Sequence, residues 1–350
     1  MGSRWITSAG AIVFAVALNV PAVRGQQPPA PRTAAPVRPE DLPQKKTPAV
    51  PRPGRGGKPY TPPRTPWGDP AIAGVFTNND ESGIPFERPS QFDGRKPEDI
   101  TSEELAALVR QRQQQTIERA PTLSEFPGAT SPLHWFENYN AANSRAWLVT
   151  DPPDGHVPPN TSEAQARNAA RTRARQARGP ADSYEDRSLY DRCITRGIPG
   201  SMMPAIYGNA YQIHQGPGFV AIRYEMVNET RIIPLDGRAA VGPKIQQWFG
   251  DSRGHWEGAT LVVETVNQKV PFRGSDQNLH LIERFTRTDA NTIEYRFTVD
   301  DPTVWTQPWT ASYPMRRTDL GFFEYACHEG NERSMVGTLK TSRMDDSLQK

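Results

Sequence analysis

Hydrophobic and polar residues alternate with period two through most of the second half of the chain. The alternating segments begin at residue 218 and read GFVAIRYEM, TRIIPLDG, GATLVVETV, LHLIERFTRTDANTIEYRFTVDD and WTASYPMRR. Period two is typical of β-strands with one buried face, and turn signals such as Asp236-Gly237 separate the segments. Strands that follow one another without a helix between them form an antiparallel meander, which removes its edges by curling or closing. We therefore predict a mainly β fold in which the meander forms a curved sheet or a barrel.

Two peripheral helices are predicted in the first half of the chain. Thr101 to Glu104 reads as a capping box, which opens a helix near residues 102–119 that ends before Pro121. Residues 162–178 are rich in Ala and Arg without a large apolar side chain, so a helix there is an exposed lid or connector. Short strands are predicted at residues 71–76 and 146–150, and a last strand in GFFEYACHEG leads into a short helix.

The N-terminal residues predict export. Arg4 precedes an apolar run from Ala9 to Leu18, and small residues follow up to Gly25. This order is typical of a cleavable secretory signal, and the run is shorter than the roughly 20 residues that span a bilayer. A retained anchor is the alternative. We predict a signal peptide over residues 1–25 and a soluble protein of the periplasm or the extracellular medium.

Composition divides the rest of the chain in two. Residues 26–64 consist largely of Pro, Arg, Lys and Gly, which cannot bury enough apolar surface to fold, so we predict a disordered tether. Its basic residues either act as a solvated spacer, which we favour, or hold an anionic surface. Residues 65–350 form a single mainly β region. The formal net charge of the whole chain is only +2, which does not predict a nucleic-acid partner.

Cys193 and Cys327 are the only two cysteines. An even pair in an exported chain predicts a disulfide. The alternative is a metal site with His328, but no CxxC or HxxxH spacing supports it. The sequence accordingly predicts no cofactor and no metal.

Charged residues at strand ends are the candidates for acid-base chemistry. His255 and Glu257 flank Trp256 in the segment DSRGHWEG, where they suit general acid-base work or polar ligand contacts. The alternative is a tight strand entry in which Trp256 is a structural plug. His328, beside Cys327, is a further candidate for acid-base chemistry.

One strand places a carboxylate on an apolar face. In residues 279–287, alternation puts Glu283 with Leu281 and Phe285, whereas His280 lies on the opposite face. A carboxylate there is costly unless it is paired. Glu283 is therefore either half of a buried ion pair, which we favour, or a functional acid with a raised pKa. His280, on the other face, is a candidate ligand contact.

Tryptophan side chains are the candidates for holding a ligand. Trp305 and Trp309 lie in an acidic loop after Asp300, and Trp135 and Trp147 are available from the first half of the chain. Aromatic rings beside carboxylates hold sugars or planar apolar ligands, although tryptophan is more often a core residue.

Several long segments carry a resemblance to a known group of proteins. They read TPWGDPAIAGVF, DPPDGHVPP, GPADSYEDRSLYDRC, GDSRGHWEGATLVVETVN, LHLIERFTR, TVDDPTVWTQPWT and FEYACHEGN. In these the chain resembles a large family of exported bacterial proteins described only as hypothetical, and the resemblance implies no established activity. A weaker likeness links Gly74, Val75 and Phe76 to the G-x-W segment that opens lipocalin-like barrels, with Phe76 in place of the tryptophan.

These observations favour one of three functions. The first is binding of a small apolar, aromatic or glycan ligand in a barrel-like cavity, since no catalytic motif is present. The second is a cofactor-independent hydrolase or lyase that uses Glu and His as acid and base, and the third is a scaffold of the cell envelope. The sequence leaves the oligomeric state open and predicts no stable membrane insertion.

Overall fold

The computed structural model of the chain describes residues 60–123, 143–178, 181–205, 207–275 and 277–348. The predicted signal peptide, most of the predicted tether and Trp135 lie outside these residues. Within the described ranges, none of the helices combines the length and the apolar character needed to cross a bilayer.

Ten strands form one antiparallel sheet, which confirms the predicted mainly β fold. The strands are β1 (Gly74–Thr77), β2 (Val149–Asp151), β3 (Ala210–Gly216), β4 (Phe219–Tyr224), β5 (Thr230–Pro234), β6 (Asp251–Glu257), β7 (Thr260–Val266), β8 (His280–Arg287), β9 (Thr292–Asp300) and β10 (Trp309–Arg317). The helices are α1 (Ser102–Leu123), α2 (Ser162–Gln176) and α3 (Asn331–Leu348). α1 runs on through Pro121, whose fixed φ is compatible with a helix and which removes only one hydrogen bond near its end.

The sheet curls into a nearly closed barrel. Its strand order is β5-β4-β3-β1-β10-β9-β8-β7-β6, and β2 pairs with β10 off this path. The eight successive pairings along the path are all antiparallel. β5 and β6, at the two ends of the path, therefore run in the same direction. Residues 235–250 join them, as the crossover between parallel neighbours requires. We call the junction between β5 and β6 the seam.

The two ends of the barrel differ. Tight turns close one end after β3, β6 and β8, whereas the other end carries the long connections after β1, β7 and β9. We call the second the loop end. Ligand sites in barrels lie preferentially at such elaborated mouths.

Large side chains fill the barrel interior. β8 shows the predicted alternation, with Leu281, Glu283 and Phe285 buried and the residues between them partly exposed. The ring of Tyr295 lies 5.0 Å from that of Phe285 and 5.3 Å from that of Tyr313, measured between centroids. Rings in such contact exclude water and stabilise the fold by area burial and by edge and offset packing.

The disulfide between Cys193 and Cys327 is present, with 5.7 Å between the Cα atoms. It fixes the C-terminal segment to the long connection that precedes β3. The last strand predicted around Cys327 is wrong: residues 318–326 form no regular element. Instead, Phe322 lies against the guanidinium of Arg223 on β4, 4.8 Å from the ring centroid. Phe322 thus covers part of the outside of the barrel, whereas Leu320 and Phe323 are exposed, and the alternation in this segment does not reflect strand pairing.

Candidate functional site

The seam holds a cleft of about 280 Å³ on the outside of the barrel. Its wall on one side is the outer face of β6 and β7, and on the other side it is the start of the β5–β6 connection. The lining residues are Gly237, Arg238, Ala240, Asp251, Arg253, Gly254, His255, Glu264 and Val266. The cleft therefore presents two guanidinium groups, two carboxylates and one imidazole around a small apolar base.

A glycine allows β5 and β6 to approach each other. A Cβ atom at Gly254 would lie 2.7 Å from a methyl carbon of Leu235 and 2.8 Å from a methyl carbon of Ile233, so these side chains would have to shift. Because Gly254 has no Cβ atom, the side chains of Leu235 and Ile233 close the inner side of the seam. The outer side stays open as the cleft.

Hydrogen bonds fix the connection to β6. Asp251 is buried, accepts a hydrogen bond from the backbone N–H of Val241 at 2.6 Å and forms an ion pair with Arg253 at 2.6 Å. Arg253 also donates to the carbonyl of Ala239 at 3.4 Å. The two walls of the cleft are thereby held together by one buried carboxylate and its arginine.

Two of the predicted acid-base residues, His255 and Glu257, lie on this outer face, and so does the predicted ligand contact His280. His255 is half exposed, and its Nε2 lies 3.3 Å from Glu257. Glu257 also accepts a hydrogen bond from Arg284, which lowers the pKa of its carboxyl. His280 lies on the same face, with its Nε2 3.0 Å from the cleft residue Glu264. The face thus carries two separate histidine–carboxylate pairs, of which His255 and Glu264 line the cleft.

The third predicted acid-base residue, Glu283, lies inside the barrel. Its carboxylate accepts hydrogen bonds from Arg231 at 2.6 and 3.2 Å and from the hydroxyl of Tyr295 at 2.8 Å. Both charged side chains are buried, with exposures of 0 and 3%. Burial lowers the pKa of Arg231, but Glu283 outweighs it and the pKa is raised. Glu283 is accordingly one half of a buried ion pair, and both of its oxygens are engaged.

The predicted aromatic ligand residues occupy the core. Trp305 and Trp309 are buried at the loop end with their rings in an edge contact, 5.6 Å between centroids. Trp147 packs in a second, smaller core with Phe92, beneath α1. Trp256 is partly buried against the main core, and His328 is exposed on the C-terminal segment. None of these four tryptophans lines the cleft.

A buried acid at the loop end was not predicted. Glu81 is 1% exposed, and its Oε2 accepts hydrogen bonds from the backbone N–H and the hydroxyl of Ser144 at 3.1 and 2.7 Å. Its Oε1 has no donor among the described residues. Burial raises the pKa of Glu81 to about 7, although the nearby guanidinium of Arg145 opposes this.

Neither the acid nor the cleft follows from a local pattern. Glu81 sits in the polar stretch TNNDES, which resembles any surface turn, and its partner Ser144 is 63 residues away. Arg238 and Arg253 were not singled out because each is an ordinary charged residue until the connection folds over β6. Among the described residues, no group of three or more His, Cys, Asp or Glu side chains is placed to hold a metal ion.

Comparison with known proteins adds little. No family model and no curated protein matches the chain, so the predicted membership of a family of exported bacterial proteins stays a prediction. Among solved structures, the chain is similar to a crystal structure of a secretary abundant heat soluble protein from Ramazzottius varieornatus. The similarity extends over 31% of this chain and 70% of that one, with 11% sequence identity and a TM-score of 0.22. A similarity this weak supports no argument about function.

Proposed function

We propose that the protein binds a small polyhydroxylated ligand, of the size of one or two sugar rings, in the cleft at the seam. The observation that carries the proposal is the composition of the cleft: two arginines, two carboxylates and His255 face one volume of about 280 Å³. Small-molecule sites are concave and hold a few convergent polar groups that orient the ligand. The volume lies at the small end of the usual range for such sites.

The charge balance favours a neutral polar ligand over a charged one. Arg253 already pairs with Asp251, and Arg238 already pairs with Asp236. A phosphate or carboxylate ligand would bring a further negative charge close to acids that already neutralise these arginines. Hydroxyl groups can instead donate to the carboxylates and accept from the guanidinium groups without breaking either pair.

Because the cleft lies on the outside of the barrel, the proposed ligand binds there and not in the internal cavity predicted from the sequence. An apolar ligand inside would need the space that Phe285, Tyr295, Tyr313 and Trp309 fill. The disulfide supports the predicted export, because such bonds persist in oxidising compartments, where envelope or environmental glycans are available as ligands.

Binding of a panel of mono- and disaccharides, measured by protein-observed NMR titration, tests the proposal. We expect His255→Ala to weaken the binding of any sugar that binds by at least about tenfold, since a hydrogen bond to a charged or partly buried group is worth about 1.5 kcal/mol or more. His214→Ala is the matched control, because this histidine is exposed on the outside of β3 and does not line the cleft. Its Kd should stay within about twofold of the unaltered protein.

The result that would sink the proposal is equally concrete. Saccharide binding whose shifts map to the loop end, or equal losses in the two histidine variants, would place the ligand elsewhere. If no saccharide of the panel changes the chemical shifts of the protein at millimolar concentration, polyhydroxylated compounds are excluded as the ligand class.

A further inference from the structure

Helix α2 packs against the rest of the protein through its first turns. Thr161 caps it by accepting a hydrogen bond from the backbone N–H of Ala164 at 3.1 Å, and the N–H of Thr161 itself donates to Val304 at 3.0 Å. Ala164 is the one buried residue of the helix. All side chains from 169 to 178 are exposed. The second half of α2 and the two residues that follow it, which we call the exposed segment (residues 169–178), therefore bury no face against the barrel.

The exposed segment concentrates positive charge. It contains Arg171, Arg173, Arg175 and Arg178 and no acidic residue, whereas the whole chain has a formal net charge of only +2. Arg178 forms an ion pair with Asp186 at 3.0 Å. Arg173 and Arg175 have no acidic partner in the part of the chain that the structure describes. Basic side chains near the C-terminal end also suit the helix dipole, but that effect does not require four of them.

We propose that the exposed segment docks the protein onto an anionic lipid surface through the phosphate groups of its headgroups. All its basic residues are arginine and none is lysine, and the planar guanidinium binds phosphate oxygens in a bidentate manner. Its uncharged residues are Ala, Thr and Gln, so it has no apolar face to insert. The helix rests at the level of the headgroups by charge alone.

The disulfide decides between lipid and nucleic acid as the source of phosphate. A bond between Cys193 and Cys327 persists in the periplasm, on cell surfaces or outside the cell. Membrane surfaces are present in each of those places, and they offer phosphate at high density.

Co-sedimentation of the full chain with vesicles tests the docking. The vesicles contain equal parts of phosphatidylglycerol and phosphatidylcholine, or phosphatidylcholine alone. Each basic side chain near an anionic surface contributes about fivefold to partitioning. Arg173→Gln with Arg175→Gln should therefore weaken binding to the anionic vesicles about 25-fold, and 0.5 M salt should abolish the binding by screening. Lysine at both positions should recover only part of the affinity, because an ammonium group keeps the charge but cannot bind phosphate in a bidentate manner.

A matched variant on α3 separates the helix from net charge. Arg333→Gln with Arg343→Gln removes the same two charges from exposed positions and should change partitioning by less than about threefold. Equal losses in the two double variants would overturn the proposal, as would equal binding to the two kinds of vesicle. Tighter binding to a DNA duplex than to the anionic vesicles, lost in the α2 variant, would assign the segment to nucleic acid instead.

Discussion

Replacement of Glu81 by glutamine should change the pH dependence of stability in a defined direction. Burial holds the pKa of this carboxyl at about 7 in the folded protein, against an ordinary value of 4.5 in the unfolded chain. The folded state therefore keeps a proton that the unfolded state releases. The resulting stability is fully present below pH 4.5 and is lost as the pH rises through 7.

The size of the effect follows from the same two values. A tenfold change in a protonation equilibrium is worth about 1.4 kcal/mol, so the loss between pH 4.5 and pH 8 is about 3 kcal/mol. Glutamine at position 81 can accept from Ser144 as the carboxylate does, and its amide group takes the place of the protonated oxygen. The variant should therefore lack this loss.

Urea unfolding of both proteins at several pH values from 4.5 to 8.5 measures the difference. Burial also raises the pKa of Glu229 to about 7, so the slope of the unaltered protein has more than one source. The difference between the two proteins isolates Glu81. It should grow in favour of the variant by about 3 kcal/mol across the range, whereas Glu98→Gln, at an exposed position, should give a constant difference. A difference for Glu81→Gln that does not vary with pH would refute the reasoning.

Three further changes test the core, the covalent link and the seam. Glu283→Gln leaves the buried Arg231 without its counter-charge and should destabilise the fold by about 3–5 kcal/mol in urea unfolding; a loss below 1 kcal/mol would show that the pair is solvated. Serine at both Cys193 and Cys327 opens a loop with a sequence separation of 134 and should lower the free energy of unfolding by about 4 kcal/mol; an unchanged urea midpoint under non-reducing conditions would contradict this. Gly254→Val forces β5 from β6 and should lower the Tm by several degrees; an unaltered Tm would mean that the seam is loosely packed.

The sequence predicted the strands whose two faces differ most in polarity. β8 and β9 alternate cleanly because one face packs in the barrel and the other meets solvent. β6 was interpreted only as the entry to a strand, because its inward positions include Ser252 and Gly254, which carry no apolar signal. β3 was likewise not predicted. In residues 210–216 the apolar residues alternate with the polar Gln212 and His214 only over a short span, and Gln215 directly follows His214.

Only the part of the candidate site that lies in one continuous segment of the sequence was predicted. The segment around His255 was singled out because charged residues cluster there, and the structure places this histidine in the cleft. The other wall depends on where residues 235–250 cross the barrel, which no local spacing encodes. Likewise, the buried partner of Glu283 could not be named from the strand, because Arg231 belongs to another strand 52 residues earlier.

The strand count of the barrel makes the relative direction of the two strands at the seam a matter of parity. A ring of antiparallel neighbours closes only with an even number of strands, and the path here holds nine. One junction must therefore join strands of like direction, whatever side chains the chain carries. Substitutions can widen or fill this junction, but only the gain or loss of a whole strand could remove it. Topology therefore fixes the direction of the two strands at the seam, whereas the size of the cleft beside it depends on how closely these strands pair and on the side chains that line it.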